Sequence, residues 1–462
     1  MRIIGNRGNT ARKVQAVASG ALASGDTVVV NSNGTVSVIA ETSFSEATGS
    51  ATVFRSAPTS YISAVFDSSS NRIVVSYSDD GTDKGTSVVG TVSGTSISFG
   101  TPVIFEASFV EYVASAFDTA SGKVVIAYRD RGNSNVGTAI VGTINASNNS
   151  ISFGSATVYD SNAVSDQTVT FDSSENRVVI AYNVGNGRAI VGTVSGTSIS
   201  FGTGVQFNAS AASNSSATYD SSSSKVVIAY KDNSNNYGTA IVGTVSGTGI
   251  SFGTKVVFES AHSRYMSAVY DSSNNKVVIG YSDLGNSTYA TAIVGTVSGT
   301  AISFGTPVVF ESAAVYSLSA AYDTAAKKVT IAYSDDPNSG YGTLISGAVS
   351  GTTISFGSPS VFQSTTSNYI SATFDSNADK VVIAYQKSST GTSLVHQNAY
   401  SVTNLTAENY IGIASNGYAT GQAATINAKG FIDDNQSSLT AGQSYFVQTN
   451  GDLGLTAADP SV

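Results

Sequence analysis

One short pattern recurs seven times along the chain and limits its possible folds more than any other feature. An aromatic residue precedes an aspartate, a basic residue follows that aspartate after five positions, and a tyrosine follows it after ten. Successive copies lie about fifty residues apart, the length of one structural unit in many repeat proteins. The repeat aspartates are Asp67, Asp118, Asp172, Asp220, Asp271, Asp323 and Asp375.

Each copy of the repeat reads as four short strands. The copy at 265–312 contains the segments SAVYD, KVVIGY, TAIVGTV and ISFGTPVVF, separated by polar turns such as SSNN and SGT. Runs of β-branched residues bounded by such turns predict strands, and the run KVVIGY predicts one that is buried on both faces. Four antiparallel strands per repeat are typical of a propeller blade. The sequence therefore predicts an all-β chain with a seven-bladed β-propeller.

The outer strands are one short of the number of repeats, which predicts how the propeller closes. The motif ISFG marks the fourth strand and occurs six times, whereas the seventh copy stops after its third strand. The segment Thr42–Ala57 precedes the first copy in the same way that ISFGTPVVFESA precedes a later one. We therefore expect an N-terminal strand, near Thr42–Phe54, to complete the seventh blade and remove two exposed sheet edges.

The repeat aspartate and the basic residue bracket the turn between the first two strands. A functional interpretation is a set of seven ion or ligand sites, one for each repeat. We expect instead a cross-strand pair combined with a turn cap, which needs no ligand.

The two ends of the chain lack the repeat but are similar to each other. SGDTVVVNSNGTVSVIA, from the N-terminal end, aligns without a gap on AGQSYFVQTNGDLGLTA, from the C-terminal end, and YIGIASNGYATGQAATINAKGFI supplies further short strands. Asn33-Gly34 and Asn450-Gly451 interrupt alternating apolar residues, a pattern that predicts hairpins with type I′ turns. We expect residues 1–41 and 401–462 to form one small β-domain, with the propeller, residues 42–400, inserted into it.

These flanking segments resemble those of bacteriophage virion proteins of the tail-fibre, head-fibre and capsid-decoration types. The segments concerned are GDTVVVNSNGTVSVIA and LTAGQSYFVQTNGDLGL. The resemblance implies a structural protein of the virion surface, assembled in the host cytoplasm. It further implies that the terminal domain binds other virion proteins as a homo-oligomer, with a trimer favoured. The propeller would then be displayed outward for adhesion to the host surface or its glycans.

Candidate ligand-binding residues lie near one set of loops. The loops from the second to the third strand and from the fourth strand to the next repeat vary between copies, and variable loops on a rigid scaffold often carry recognition. Tyrosines recur near these loops, about six residues before the repeat aspartate, and their rings can stack on sugars. The alternative is that the rings pack between blades. The candidates are Tyr61, Tyr112, Tyr265, Tyr316 and Tyr369.

Composition excludes several other classes of function. A net charge of −9 with no basic run argues against a nucleic-acid partner. No apolar stretch is long enough for a transmembrane helix, so we expect no membrane insertion. The chain has no cysteine, which excludes disulfides and thiolate metal sites.

Catalytic signals are weak. The only histidines, His262 and His396, stand where a structural or solvated role is the simpler interpretation. The sialidase motif SxDxGxTW is not met, because the chain has no tryptophan. We therefore expect no enzyme, no cofactor and no metal. Two alternatives to the virion protein stay open: a secreted or cell-surface glycan-binding propeller of lectin or adhesin type, and then a sialidase-like glycoside hydrolase.

Overall fold

The protein is built almost entirely of antiparallel strands. The computed structural model describes residues 12–406, 408–429, 439 and 445–455. Within these residues the only helical segments are two single 3-10 turns, Arg131–Asn133 and Asp336–Asn338.

The chain divides into two compact units. One, the terminal unit, combines Met1–Ser45 with Ala399–Val462, and the other, the large unit, comprises Glu46–Asn398. The terminal unit begins with four strands: β1 (Arg12–Val17), β2 (Thr27–Val30), β3 (Val36–Val38) and β4 (Glu41–Phe44).

The large unit contains the repeats. Its strands are, in chain order, β5 (Ala47–Thr48), β6 (Thr52–Arg55), β7 (Thr59–Asp67), β8 (Arg72–Asp79), β9 (Lys84–Ser93), β10 (Ser96–Phe99), β11 (Val103–Glu106), β12 (Val110–Asp118), β13 (Lys123–Asp130), β14 (Val136–Asn145), β15 (Ser150–Phe153), β16 (Thr157–Ala163), β17 (Ser165–Asp172), β18 (Arg177–Asn183), β19 (Gly187–Ser195), β20 (Ser198–Phe201), β21 (Val205–Asn208), β22 (Ala212–Asp220), β23 (Lys225–Asp232), β24 (Tyr237–Ser246), β25 (Gly249–Phe252), β26 (Val256–Asp271), β27 (Lys276–Asp283), β28 (Tyr289–Ser298), β29 (Ala301–Phe304), β30 (Val308–Asp323), β31 (Lys328–Asp335), β32 (Tyr341–Ser350), β33 (Thr353–Phe356), β34 (Ser360–Asp375), β35 (Lys380–Lys387) and β36 (Thr390–Gln397).

The terminal unit ends with five more strands: β37 (Tyr400–Thr403), β38 (Tyr410–Ala414), β39 (Ala423–Lys429), β40 (Phe446–Val447) and β41 (Leu453–Gly454). Its main sheet has the order β1-β39-β38-β2-β3, so both ends of the chain contribute to it. Residues 430–432, the end of the segment predicted to supply short strands, lie outside the described residues.

The two hairpins of the terminal unit share one turn geometry, which differs from the predicted type I′ turn. Gly34 and Gly451 have positive φ, whereas the asparagines before them do not. In each hairpin the glycine N–H donates to the carbonyl three residues earlier, at 2.9 Å. This is a type I turn followed by a left-handed glycine, the second common way to join two strands. The asparagine side chains accept from the backbone beyond the turn instead.

Each repeat of the large unit forms antiparallel pairs in the order A, B, C, D. Strand A ends at the repeat aspartate, B starts at the basic residue, and D is split into two pieces that both pair with C. Strands A are β7, β12, β17, β22 and the C-terminal halves of β26, β30 and β34. The protein therefore has an all-β fold with many blades, which confirms the general part of the fold prediction.

Strand B is the most buried part of each repeat. Val277, Val278, Ile279 and Tyr281 have no exposed surface. Each hydrophobic cluster of the large unit joins two successive sheets, so strand B is covered on both faces by its neighbours. This explains why its apolar residues run continuously instead of alternating.

The repeat tyrosine in strand B meets a polar residue of the preceding strand D, 22 positions earlier in the chain. The hydroxyl of Tyr281 donates to Glu259 at 3.2 Å, and that of Tyr385 donates to Gln363 at the same distance. Arg55 occupies this position before the first repeat and pairs with Asp79 at 3.0 Å.

The repeat aspartate is a buried turn cap. Asp271 has no exposed surface, and its Oδ1 accepts from the backbone N–H groups of Ser273 and Asn274, both at 3.0 Å. The basic residue does not close this turn with an ion pair in the first repeat. Arg72 lies opposite Asp67 in register but donates to Asn149 of the next repeat at 2.7 Å. The expected turn cap is thus present, and Arg72 links the first repeat to the second.

The missing outer strand of the seventh repeat comes from the N-terminal side. Strand β36 pairs with β5 and β6, with Thr392 opposite Val53. Phe54 packs on Tyr77 and Phe99, at 5.2 Å and 5.6 Å between ring centroids. The predicted starting point, Thr42, was wrong, because Thr42–Phe44 belong to β4, which pairs with β37 in the terminal unit.

His396 compensates for what the seventh repeat lacks. Elsewhere this position in strand C is glycine, because Ile and Phe of ISFG fill the space: a Cβ on Gly295 would lie 2.8 Å from Ile302. The short strand β5 carries neither side chain. His396 fills the vacant volume, is fully buried, and lies 2.9 Å from the Thr48 hydroxyl through Nδ1.

Hydroxyl groups join neighbouring A strands. In six of the seven repeats, a serine or threonine stands four positions before the repeat aspartate. Its hydroxyl oxygen accepts a hydrogen bond from a backbone N–H in strand A of the next repeat, as Ser267 accepts from Ala320 at 2.9 Å. The same bond runs from the seventh repeat to the first, where Ser371 accepts from Ala64 at 2.9 Å. Only Ala114, in the second repeat, lacks the hydroxyl among the seven. The acceptors are Ser63, Thr168, Ser216, Ser267, Ser319 and Ser371.

Candidate functional site

One position in every A strand adopts a left-handed backbone. It lies six residues before the repeat aspartate, and its φ is between 47° and 54° in all seven repeats. Two residues of strand A oppose a single residue of strand B there, which is a β-bulge. A positive φ is unfavourable for residues other than glycine, and such strain often marks functional sites. The residues are Tyr61, Tyr112, Asp166, Asn214, Tyr265, Ser317 and Tyr369; together with Tyr316 we call them the tyrosine rim.

The aromatic members of the rim contact each other. The ring of Tyr61 lies 5.2 Å from that of Tyr112 and 5.5 Å from that of Tyr369. Tyr265 and Tyr316 form a second pair, edge to face at 5.6 Å. The two groups offer separate aromatic surfaces on the same rim.

The polar members link the remaining neighbours. Asp166 accepts from the backbone N–H of Asn214 at 2.9 Å, and Asn214 accepts from that of Tyr265 at 2.9 Å. Ser317 accepts in the same way from Tyr369, at 3.0 Å. Because side chains hold the strained backbone of the next repeat, the rim is fixed before any ligand binds.

The rim tyrosines stay partly accessible. Tyr369 is 38% exposed and Tyr316 is 40% exposed, while the other three are half-buried. Burial, with a smaller contribution from Glu111, raises the pKa of Tyr61 to about 12. The hydroxyl of Tyr61 is therefore a neutral hydrogen-bond donor at physiological pH.

The surroundings of the rim differ from repeat to repeat, although the rest of the repeat hardly changes. The residue before each rim position faces, in register, the residue that follows the repeat tyrosine in strand B. These pairs are Ser60–Ser78, Glu111–Arg129, Ser165–Asn183, Ser213–Lys231, Arg264–Ser282, Tyr316–Ser334 and Asn368–Gln386. Such variation on an invariant frame indicates one asymmetric site and not seven equal ones.

The arginines beside Tyr112 form ion pairs. Glu111 pairs with Arg129 at 3.3 Å and with Arg131 at 2.9 Å. The guanidinium of Arg129 also lies 6.0 Å from the ring centroid of Tyr112, within cation–π range.

Two cavities lie at the opposite ends of the A strands. They have volumes of about 370 Å³ and 390 Å³ and are lined by the aromatic residues that precede the repeat aspartates, such as Phe66, Phe374, Tyr270 and Tyr322. This aromatic position recurs in all seven repeats. Packing between equivalent sheets explains why this position is aromatic in every repeat. We therefore favour the variable rim over these two cavities as the candidate site.

Sequence reasoning found the aromatic part of the rim but missed the rest. The structure groups Tyr61, Tyr112 and Tyr369, and it groups Tyr265 with Tyr316. The polar rim members were not predicted because they share a backbone conformation with the rim tyrosines but not a side-chain type. The signal that would have found them is position, six residues before the repeat aspartate.

Little in the described part of the chain favours metal or membrane chemistry. No group of three or more histidine, aspartate or glutamate side chains is placed there to hold a metal ion. Asp79, at the end of strand β8, is paired with Arg55, and its side chain accepts from the backbone N–H of Gly81. No helix in the described residues is long and apolar enough to cross a membrane.

Comparison with known proteins gives a likeness in structure only. No protein-family model matches the chain, and no curated protein matches its sequence. The BP39L lectin from Burkholderia pseudomallei is similar with a TM-score of 0.52, over 72% of this chain and 94% of the lectin. The chain shares its fold with a lectin. At 13% identity this likeness concerns the fold alone, and it does not support a phage origin.

Proposed function

We propose that the large unit is a closed seven-bladed β-propeller that binds a glycan at the tyrosine rim. The observation that carries this proposal is the group formed by Tyr369, Tyr61 and Tyr112, which is partly exposed and held in strained backbone. Aromatic faces combined with fixed polar groups are how proteins bind sugar rings and their hydroxyls.

Contacts between the last and the first repeat support closure. Strand β36 pairs with β6, and the hydroxyl of Ser371 accepts from Ala64. The rim adds a third contact of this kind, between the rings of Tyr369 and Tyr61. Each is the counterpart of a contact found between the other repeats.

The fold of the structural neighbour supports the binding role. BP39L is named as a lectin, and 94% of the lectin matches 72% of this chain. A non-catalytic glycan-binding propeller therefore has more support than a virion protein. Virion display, attachment through the terminal unit and a trimeric state stay predictions that rest on the resemblance of the flanking hairpins.

Titration of the full chain against a panel of oligosaccharides tests the proposal. Tyr61→Ala and Tyr369→Ala should each weaken binding about fivefold or more, since stacking on an aromatic ring contributes on the order of 1 kcal/mol or more. The melting temperature of each variant shows whether it is still folded.

Tyr270→Ala is the matched control for Tyr265→Ala. Both residues belong to strand β26, but Tyr270 lies at the other end of its A strand and lines one of the two cavities. Loss of binding in Tyr270→Ala with normal binding in Tyr265→Ala would place the site in that cavity. Absence of binding to every oligosaccharide tried would reject a glycan-binding function.

A further inference from the structure

Two cations of successive repeats lie at the rim, and neither forms an ion pair within the described residues. Lys231 is half-buried in strand β23, and Arg264 is exposed beside Tyr265. Within the described residues neither has a carboxylate within 4.0 Å. In a chain of net charge −9, an unneutralised pair of this kind is notable.

The electrostatic influence of these two side chains extends over their neighbours. Burial lowers the pKa of Lys231, and the charge of Arg264 lowers it further, while Asp166 partly offsets this. Burial also lowers the pKa of His262, and the positive charges of Arg264 and Lys231 lower it further. His262 accepts from Arg264 Nε through Nε2 at 3.2 Å, so the imidazole is neutral and holds the guanidinium in place.

Two acidic side chains nearby accept hydrogen bonds from residues of the rim. Asp166 accepts from the backbone N–H of Asn214, and Asp336 accepts from the hydroxyl of Tyr316 at 3.5 Å. Within the described residues, the rim thus places two cations that form no ion pair next to an aromatic pair, Tyr265 and Tyr316. Around Tyr112, by contrast, both arginines form ion pairs with Glu111.

We infer that the rim selects an anionic sugar, whose acidic group binds Arg264 and Lys231 while its ring packs on Tyr265 and Tyr316. A planar guanidinium can donate two parallel hydrogen bonds to a carboxylate or a sulfate, and a half-buried ammonium adds charge in a region of reduced screening. This inference rests on the proposed function and specifies its ligand class.

Binding of three related probes tests the inference: N-acetyllactosamine, its sialylated form and its sulfated form. The full chain should bind at least one anionic form about tenfold more tightly than the neutral one, and the preference should shrink as NaCl rises from 50 mM to 500 mM, because salt screens exposed charges. A preference for only one anionic form would identify the acidic group as carboxylate or sulfate.

Arg264→Gln and Lys231→Gln should each remove most of this preference, because they should weaken binding of the anionic probe much more than binding of the neutral one. Arg131→Gln is the control, since Arg131 is an exposed cation already paired with Glu111. Equal binding of the neutral and anionic probes, or an undiminished preference in both variants, would overturn the inference while the glycan-binding function stood. Failure of all three probes, with other oligosaccharides bound, would overturn it too, whereas binding of no sugar at all would reject the function itself.

Discussion

The side-chain oxygen of Ser371 accepts a hydrogen bond from the backbone N–H of Ala64, 307 positions away in the chain, at 2.9 Å. It joins strand A of the seventh repeat to strand A of the first. The equivalent bond between adjacent repeats spans only about fifty residues, as in Ser319 and Ala372. The same hydroxyl position in every repeat thus also produces one long-range contact, because strand A of the last repeat bonds to strand A of the first.

Ser371→Ala should destabilise the large unit by about 1–2 kcal/mol, because the N–H of Ala64 loses its acceptor. Ala114→Ser should have the opposite sign, with a gain of up to about 1 kcal/mol, because the second repeat alone lacks this hydroxyl. Urea unfolding of both variants measures the effects. If Ser371→Ala matches the wild type while Ser319→Ala is destabilised, the link between last and first repeat contributes nothing.

Phe54→Ala should cost about 3 kcal/mol, since the ring fills the contact with Tyr77 and Phe99 and its removal leaves a cavity. Phe258→Ala, the same position within an uninterrupted repeat, provides the reference: it packs on Tyr281 and Phe304. Similar losses of unfolding free energy are expected. A negligible loss for Phe54→Ala alone would show that the N-terminal strand does not complete the seventh repeat.

Glu259→Gln should raise the melting temperature at pH 7. Burial, and then the charge of Asp283, raise the pKa of Glu259 in the folded protein. The folded state therefore binds the proton more tightly than the unfolded state, and stability falls as pH rises from the unfolded pKa, about 4.3, through the higher folded one. Glutamine keeps an acceptor for Tyr281, as Gln363 does for Tyr385.

The advantage of Glu259→Gln should fade below about pH 4, where the glutamate is protonated in both states. Calorimetric melting at several pH values measures it. Exposed Glu175 serves as the control, and Glu175→Gln should show no comparable change with pH. A Glu259→Gln variant that melts below the wild type at neutral pH would contradict the expected cost of the buried charge.

Lys255→Met should reduce stability at pH 7 by about 1–2 kcal/mol, since it removes a charge-assisted bond of 2.7 Å to the buried carboxylate of Asp232. Burial acts to raise the pKa of Asp232, but bonds from Lys255, Ser234 and Asn208 outweigh it and hold the pKa at about 2. The stabilisation is complete above the unfolded pKa, about 3.9, and is lost as pH falls towards 2. Urea unfolding at pH 7 and pH 3 should show the difference shrinking; a constant difference would exclude a role of the ion pair.

The sequence predicted strand order well because strand B repeats the same buried residues seven times. Val277–Ile279 and their counterparts can only fit between two other strands, and the repeat aspartate marks the turn that follows strand A. The starting point of the N-terminal strand was harder to predict. Thr42–Phe44 are as compatible with β structure as Thr52–Phe54, and only pairing partners far away in sequence, Tyr400 and Thr392, separate the two.

The rim could be predicted only in part. Tyrosine at this position is visible in four repeats, but the left-handed backbone that all seven share has no residue type of its own: Asp166, Asn214 and Ser317 adopt it as Tyr61 does. The register of Tyr316 illustrates this, since it lies one position off while its neighbour Ser317 occupies the bulge. Nor does sequence reveal that Glu111 neutralises Arg129 whereas Arg264 has no such partner.

The pairing of Ala47 with Gln397 has a consequence for how such a module spreads among proteins. The chain enters and leaves the large unit through two adjacent antiparallel strands, so the whole unit has the connectivity of a single hairpin loop. A host chain needs only one surface turn to accept it, and no spacer has to bridge a distance. Because its two ends meet, we expect residues 46–398 to tolerate transfer as one segment into a surface turn of another protein.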